Sequence, residues 1–239
     1  MTVYYYSLAV SAVSFLTACT ALFFYLRVPA GWLCDAGESP GTEHLPENRC
    51  PHRKTALLLM TAVSSLAIMT SGSIHPDIPD IDLRRILFLS VVSLILFPAA
   101  LCDADYCIIP DQSCLLALLT AFLTGIYTDG LAGCVTAAGG GLLSGTMMLL
   151  ASLFTRLASG KEGIGMGDVK LLTACGSLAA SAAGPGSWMS ASCCVYVFSI
   201  LSSAVWFAFL LLCRRARYGD ARPLGPWIVL GSLLVAAIW

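Results

Sequence analysis

The chain is 239 residues long, and 58% of its residues are hydrophobic while only 11% are charged. A mean hydropathy of +0.83 excludes an ordinary soluble enzyme, because globular domains carry about 25% charged residues. The 13 Lys and Arg are balanced by 14 Asp and Glu, so no basic surface is available for a phosphate backbone and we expect no nucleic-acid partner. The composition predicts an all-α, polytopic membrane protein.

Apolar runs recur along the whole chain, and a bilayer requires about 20 apolar residues per helix. They predict a bundle of about eight transmembrane helices, among which 170–186 is diluted by Ser, Gly and Ala. The first run has no basic residues ahead of it and no clear small-residue cleavage site, so we interpret it as a retained span. The predicted spans are 3–26, 55–73, 86–102, 112–128, 131–154, 170–186, 189–213 and 225–239.

Positive charge is concentrated on one predicted side of the membrane. Eleven of the 13 Lys and Arg fall in one set of loops, and only Arg84 and Arg85 fall in the other. Because cytoplasmic loops collect Lys and Arg, we expect both termini to face away from the cytoplasm. The loops predicted to be cytoplasmic are 28–54, 103–111, 156–169 and 214–224.

Small residues recur at every fourth position of the fifth span, at Gly133, Ala137, Gly141 and Gly145. Such spacing places them on one helix face, where they let another helix approach closely. We interpret this face as a packing surface without chemistry.

Three carboxylates lie between the third and fourth spans, at Asp103, Asp105 and Asp111. Ionisable groups at membrane depth are energetically costly, and they usually have a function. The alternative is structural: Asp111 caps the fourth helix, while Asp103 and Asp105 are solvated loop residues. This segment alone does not separate the two interpretations.

Glycines alternate with other residues ahead of the sixth span, at Gly163, Gly165 and Gly167, and Asp168 follows directly. Glycine permits dihedral angles that side chains forbid and lets a neighbouring backbone come close, so we expect Asp168 on an unobstructed loop. The spacing matches neither common nucleotide-binding motif, and no strand context precedes it. The structural alternative is that Asp168 is the N-cap of the sixth helix.

Asp103 and Asp168 are predicted at span ends on the same membrane face, so a bundle could bring them together. Two close carboxylates cannot both ionise cheaply and therefore share a proton. The ionised member can take a proton from water while the protonated member polarises a peptide carbonyl. The pair is therefore suited to amide hydrolysis without a metal or a nucleophilic side chain.

Three motifs carry a resemblance to a known family: D-x-D-x-x-x-x-P-D at 103–111, G-x-G-D-x-K-L at 165–171 and R-P-L-G-P at 222–226. Together they resemble the type IV prepilin peptidases, the GxGD-type membrane aspartyl proteases of peptidase family A24. The resemblance implies that Asp103 and Asp168 are the catalytic pair. It assigns supporting positions to Asp105, Pro110, Asp111, Gly165, Gly167 and Lys170.

The resemblance also implies a substrate and a location. Prepilin peptidases cut the basic leader of type IV prepilins or type II secretion pseudopilins after a glycine, at the cytoplasmic face of the bacterial inner membrane. We therefore expect a prepilin-like substrate and membrane lipid as partners, and leave the oligomeric state open. Residues 1–85 would form amino-terminal spans with a shortened loop, and 86–239 the membrane-embedded peptidase core.

A transporter is the alternative function, with the same acids forming a proton or cation path. Transport acids are expected near mid-span in broken or repeated helices. The acids here are predicted at cytoplasmic span ends, and the sequence shows no internal repeat, so a peptidase is favoured.

The amino-terminal third departs from the family pattern. Bifunctional members carry two C-x-x-C pairs in the first cytoplasmic loop, a zinc signature, and also methylate the new amino terminus. Here Arg53 stands where a second Cys would follow Cys50. We expect a solvated loop without zinc and no S-adenosylmethionine, and methyltransferase activity stays an open question. The residues that could form an irregular zinc site are Cys34, His44, Cys50 and His52.

An acidic patch is predicted on the opposite membrane face, and we interpret it as a solvated loop between spans. Its residues are His75, Asp77, Asp80 and Asp82.

Overall fold

The protein is described by a computed structural model that covers residues 2–28, 53–74, 83–160, 164–214 and 223–239. Within these ranges the chain forms eight α-helices and no strand, which confirms the all-α prediction. Each predicted span overlaps one of the helices, with ends that differ by up to five residues. The helices are α1 (Thr2–Leu26), α2 (Arg53–Ile74), α3 (Leu83–Tyr106), α4 (Asp111–Asp129), α5 (Leu131–Ser159), α6 (Met166–Ala183), α7 (Trp188–Leu212) and α8 (Gly225–Ile238).

The carboxyl end of α3 differs from the prediction. The helix continues past 102 to Tyr106, so Asp103 and Asp105 lie in its last turns and their placement in a loop is wrong. Asp103 is also buried, whereas Asp105 is exposed as expected. No glycine or proline interrupts 101–106, whereas Pro110 disfavours helix in the residue before it. Cys107 closes α3 in a left-handed conformation (φ 54°), with its N–H bonded to the Asp103 carbonyl at 2.8 Å.

Helix α6 forms the centre of the bundle and packs against α4, α5, α7 and α8. Leu171, Leu172 and Leu178 are almost completely buried, as are the small residues between them. The Ser, Gly and Ala content of this helix therefore has a physical reason: a helix surrounded by other helices needs close approach more than it needs a lipid-facing surface.

The small residues of α5 form the packing surface that their spacing predicts. A Cβ atom on Gly133 would lie 2.8 Å from Gly125 Cα of α4, and one on Gly141 would lie 3.0 Å from the Thr173 carbonyl oxygen of α6. Ala137 is completely buried. Two neighbouring helices therefore approach α5 closely along this face.

Three helical segments among the described residues are long and apolar enough to cross a membrane: Leu87–Tyr106, Leu131–Ala158 and Trp188–Leu212. Helices α4 and α6 do not meet this standard, so the expected count of eight spans is not confirmed. Shorter apolar helical segments are Val10–Leu26, Thr55–Leu66 and Gly225–Ile238.

Large apolar side chains are exposed on the outside of α5 and α7, among them Leu142, Leu157, Val205 and Leu212. Soluble monomers rarely expose apolar surfaces of this extent. The arrangement fits a bundle whose outer helices face lipid.

Candidate active site

The predicted site residues gather at one end of the bundle. The carboxyl ends of α1 and α3 and the amino ends of α4, α6 and α8 meet there. Three contacts establish this: Tyr25 with Asp105, Lys170 with Asp111, and the Gly225 backbone with Asp103. The described ends of five helices therefore form a single site.

Asp103 projects from α3 into the interior of this end and is only 4% exposed. Its Oδ2 accepts the backbone N–H of Gly225 at 2.6 Å, and the Leu224 backbone N–H is a second donor. A Cβ atom on Gly225 would lie 2.8 Å from that same oxygen and 3.0 Å from Asp103 Cβ. Only glycine therefore lets the start of α8 approach this carboxylate.

Asp168 lies in the first turn of α6, and it is not the N-cap, because Gly165 occupies that position. The prediction of an Asp168 cap is therefore wrong, and so is the loop placement. Its carboxylate instead reaches back and accepts the Gly165 backbone N–H, which is one half of a capping box. Asp168 Oδ1 is buried and has no hydrogen-bond partner among the described residues.

The two glycines of the G-x-G-D sequence have neither the unusual dihedral angles nor the close approach that the sequence predicts. Gly165 has φ −71°, and neither it nor Gly167 is among the described glycines with a positive φ, so the expectation of unusual dihedral angles is wrong for both. A Cβ atom on Gly167 would meet Ile109 at 3.4 Å, in the connection between α3 and α4. Both distances, including 3.5 Å from a Gly165 Cβ to Asp168 Oδ2, are ordinary van der Waals contacts, so the structure gives no steric reason for either glycine.

The two acids interact electrostatically. Asp168 lies ahead of the predicted span 170–186 and outside the three helical segments long enough to cross a membrane. Its pKa is raised to about 7, first by burial and then by the negative charge of Asp103, although the Gly165 N–H lowers it. An acid with this pKa holds its proton near neutral pH beside a second carboxyl group. The pair can therefore offer an acid and a base in one place.

The supporting residues sit around this pair and are paired themselves. Asp105 accepts a hydrogen bond from the Tyr25 hydroxyl of α1. Lys170 Nζ contacts both carboxylate oxygens of Asp111, at 2.8 and 2.9 Å, and so ties α6 to α4. Pro110 is the N-cap of α4 (φ −64°), which shows that the prediction of an Asp111 cap is wrong.

Comparison with known proteins identifies the family. Residues 90–212 match the type IV leader peptidase family, and this stretch contains both Asp103 and Asp168. The chain belongs to that family.

Two curated proteins that are similar to this chain are named prepilin leader peptidase/N-methyltransferase. One, from Pseudomonas putida, is 30% identical over 163 residues, which cover 63% of this chain and 51% of the relative. The other, from Pseudomonas aeruginosa, is 28% identical over 145 residues, or 60% of this chain and 46% of the relative. The chain spans about half the length of these relatives, and no solved structure matches it.

The site contains two further residues, Gly225 and Tyr25, that the sequence analysis did not predict as site residues. Gly225 lies in the R-P-L-G-P motif at 222–226, and a glycine between apolar residues and Pro226 at a span start is a signal for close backbone approach. Tyr25 carries no such signal, because an aromatic residue at the end of an apolar run is ordinary in a membrane helix.

The described residues include no group of three or more His, Cys, Asp and Glu side chains that could hold a metal ion. The loop residues considered for zinc and the acidic patch predicted on the opposite face lie outside the described residues. They are Cys34, His44, Cys50 and His52 for zinc, and His75, Asp77, Asp80 and Asp82 for the patch.

Proposed function

We propose that this protein is a membrane aspartyl endopeptidase that cleaves the basic leader of type IV prepilins or type II secretion pseudopilins after a glycine. The observation that carries the proposal is the electrostatic interaction of Asp103 on α3 with Asp168 on α6, in a member of the type IV leader peptidase family. The printed names of the two relatives support the class of substrate.

Hydrolysis by the pair uses one ionised and one protonated carboxyl group. The carboxylate takes a proton from water as the water oxygen attacks the peptide carbonyl carbon, and the carboxylic acid gives its proton to the carbonyl oxygen. The C–N bond of the resulting diol then breaks. Its nitrogen takes the proton held by the first acid, and a diol hydroxyl returns a proton to the second, so both acids recover their initial states.

The location of the site fits a substrate that has a basic leader followed by an apolar helix. The acids lie at the end of a bundle whose outer surface is apolar, so a bound substrate would leave its helix in lipid and its leader at the membrane surface. Anionic lipids of the cytoplasmic leaflet attract such basic segments. We place the site at the cytoplasmic face of the bacterial inner membrane, where Lys and Arg of this chain are concentrated.

The transporter alternative is not supported by this arrangement. Asp103 and Asp168 lie in the last turns of α3 and the first turn of α6, at one end of the bundle rather than near mid-span. The described helices also include no discontinuous helix of the kind that forms transport sites.

Co-expression with candidate prepilins tests the proposal. We expect a shortened product whose new amino terminus follows the leader glycine, and no such product with Asp103→Asn or Asp168→Asn. Asp129→Asn is a matched control, because Asp129 is an exposed acid at the other end of α4. A product formed equally by wild type and both dyad variants would contradict the proposal.

A further inference from the structure

One backbone N–H in the first turn of α8 bonds to a side chain of another helix. A helix begins with N–H groups that have no partner within the helix. Here the second residue, Pro226, has no N–H, while the N–H groups of Trp227 and Ile228 both bond to the Leu224 carbonyl, at 3.0 and 3.1 Å. The N–H of Gly225 remains, and it points to Asp103 Oδ2 at 2.6 Å.

The two acids therefore differ in how they are held, although both lie near the amino end of a helix. Asp103 is buried, which opposes a charge, but it receives the Gly225 N–H and lies against the positive end of α8, and both of these favour a carboxylate. Asp168 keeps a buried Oδ1 without any donor among the described residues, and a buried oxygen without a donor favours the protonated form. The positive end of α6 favours the ionised form of Asp168, but it supplies no hydrogen bond to this oxygen.

We propose, on the basis of the peptidase function proposed above, that Gly225 is a positioning residue that decides the roles within the pair. Its N–H holds Asp103 as the carboxylate that takes the proton from water, and Asp168 carries the proton that passes to the peptide carbonyl oxygen. In the second half of the reaction Asp103 gives its proton to the leaving nitrogen and Asp168 regains one from the diol. The start of α8 thus enters the reaction through its backbone donors, of which the Gly225 N–H makes the 2.6 Å contact with Asp103.

Infrared spectroscopy of the full chain in lipid nanodiscs can locate the proton without any substrate. At about pH 6 ordinary carboxyl groups are ionised, so the band of a protonated carboxyl group reports an exceptional one. We expect this band in the wild type and its loss in Asp168→Asn. A band that persists in Asp168→Asn would assign the proton to Asp103 and overturn the proposal.

Removal of the Gly225 donor is the decisive step. In the Asp168→Asn background, a backbone ester in place of the Gly225 amide removes the N–H without adding bulk, and the protonated-carboxyl band should return, now from Asp103. The control is Gly231→Ala in the same background. It adds a methyl group to α8 away from Asp103, 2.9 Å from Ser199 Oγ of α7, and should show no band. A spectrum unchanged by the ester would contradict the role of Gly225.

Cleavage gives a second readout. The ester at Gly225 in the otherwise wild-type chain should lower kcat by roughly 100-fold with little change in KM, as expected when a general base is lost. Gly225→Ala should do the same by displacing Asp103, and Gly231→Ala should not. If the chain cleaves no prepilin, the proposed function fails while the infrared result still decides the proton location. If cleavage needs both acids but the ester leaves kcat intact, only the role of Gly225 fails.

Discussion

Four acids lie at the same end of the bundle, and they form two contrasting pairs. The inner acids, Asp103 and Asp168, lie between helices, and one oxygen of Asp168 is buried without a donor among the described residues. The outer acids, Asp105 and Asp111, are exposed, and each has a side-chain partner from another helix. The same residue type therefore serves two purposes within one motif: the inner acids can carry chemistry and the outer acids join helices.

The inner acids destabilise the fold through a buried oxygen of Asp168 that has no partner among the described residues, whereas each outer acid has a partner. A buried polar atom without a partner lowers the free energy of unfolding, by about 1–3 kcal/mol for a neutral group. The bundle tolerates this cost because α6, which carries Asp168, is closely packed and almost entirely buried from Leu171 to Ser181. Local conflicts of this kind are expected at functional sites.

The largest effect should come from removing either inner acid. Asp103→Asn or Asp168→Asn keeps the shape of the side chain and removes one half of the acid-base pair, so we expect cleavage to fall by about 100- to 10,000-fold. Asp105→Asn and Asp111→Asn should leave measurable activity. The measurement is the initial rate of leader removal from a purified prepilin, with protein insertion checked in parallel. Equal losses in all four variants would erase the contrast between inner and outer acids.

A second prediction concerns the pH dependence of stability. The pKa of Asp168 is raised from 3.8 to about 7, so between these values the folded protein binds more protons than the unfolded chain. Stability must then fall as pH rises through that window, because its slope follows the difference in bound protons. We expect Asp168→Asn to flatten the fall in unfolding temperature between about pH 5 and pH 8, relative to wild type.

Asp111→Asn is the matched control for the pH experiment, because Asp111 is exposed and contacts Lys170. It should keep the wild-type fall in stability across the same window. If the unfolding temperature of Asp168→Asn fell as steeply as that of the wild type, the raised pKa of Asp168 would not be the cause of the fall. Asp168 would then not differ from the outer acids in this respect.

Much of the helix pattern could be predicted from sequence because apolar runs report helices directly. The eight runs coincide with α1 to α8, and the spacing of small residues identified the face of α5 that contacts its neighbours. The gathering of the D-x-D and G-x-G-D segments at one end followed from span alternation alone. These features depend on local composition, which a single sequence contains.

The details of the site could not be predicted in the same way, because they depend on contacts between distant segments. Nothing local shows that α3 continues through Asp103, or that Gly165 rather than Asp168 caps α6. The partner of Asp105, Tyr25, lies 80 residues away in sequence. The central position of α6 is likewise decided by four other helices, and its Ser, Gly and Ala content alone does not indicate that position.

A smaller effect on stability should follow from removing the hydrogen bond between α1 and Asp105. Tyr25→Phe removes the hydroxyl that donates to Asp105 while the ring stays buried against Cys102. We expect the free energy of unfolding to fall by about 1–2 kcal/mol and the cleavage rate to change by only a few-fold. Unfolding in detergent monitors the first quantity.

The smallest effect should come from the Asp111–Lys170 pair. Its side chains are 67% and 49% exposed, so water and salt screen the attraction, and such pairs contribute roughly 0.2–1 kcal/mol. Asp111→Asn, Lys170→Met and the double variant form a cycle whose coupling energy should fall in this range and shrink further in high salt.

Cleavage by these three variants bears on the comparison most directly. An outer ion pair that only joins α4 to α6 should leave kcat near the wild-type value wherever the bundle stays folded. If Lys170→Met lost cleavage as completely as Asp168→Asn while keeping its unfolding temperature, Lys170 would act on the reacting groups. Asp111, the partner of Lys170, would then have to be grouped with the inner acids.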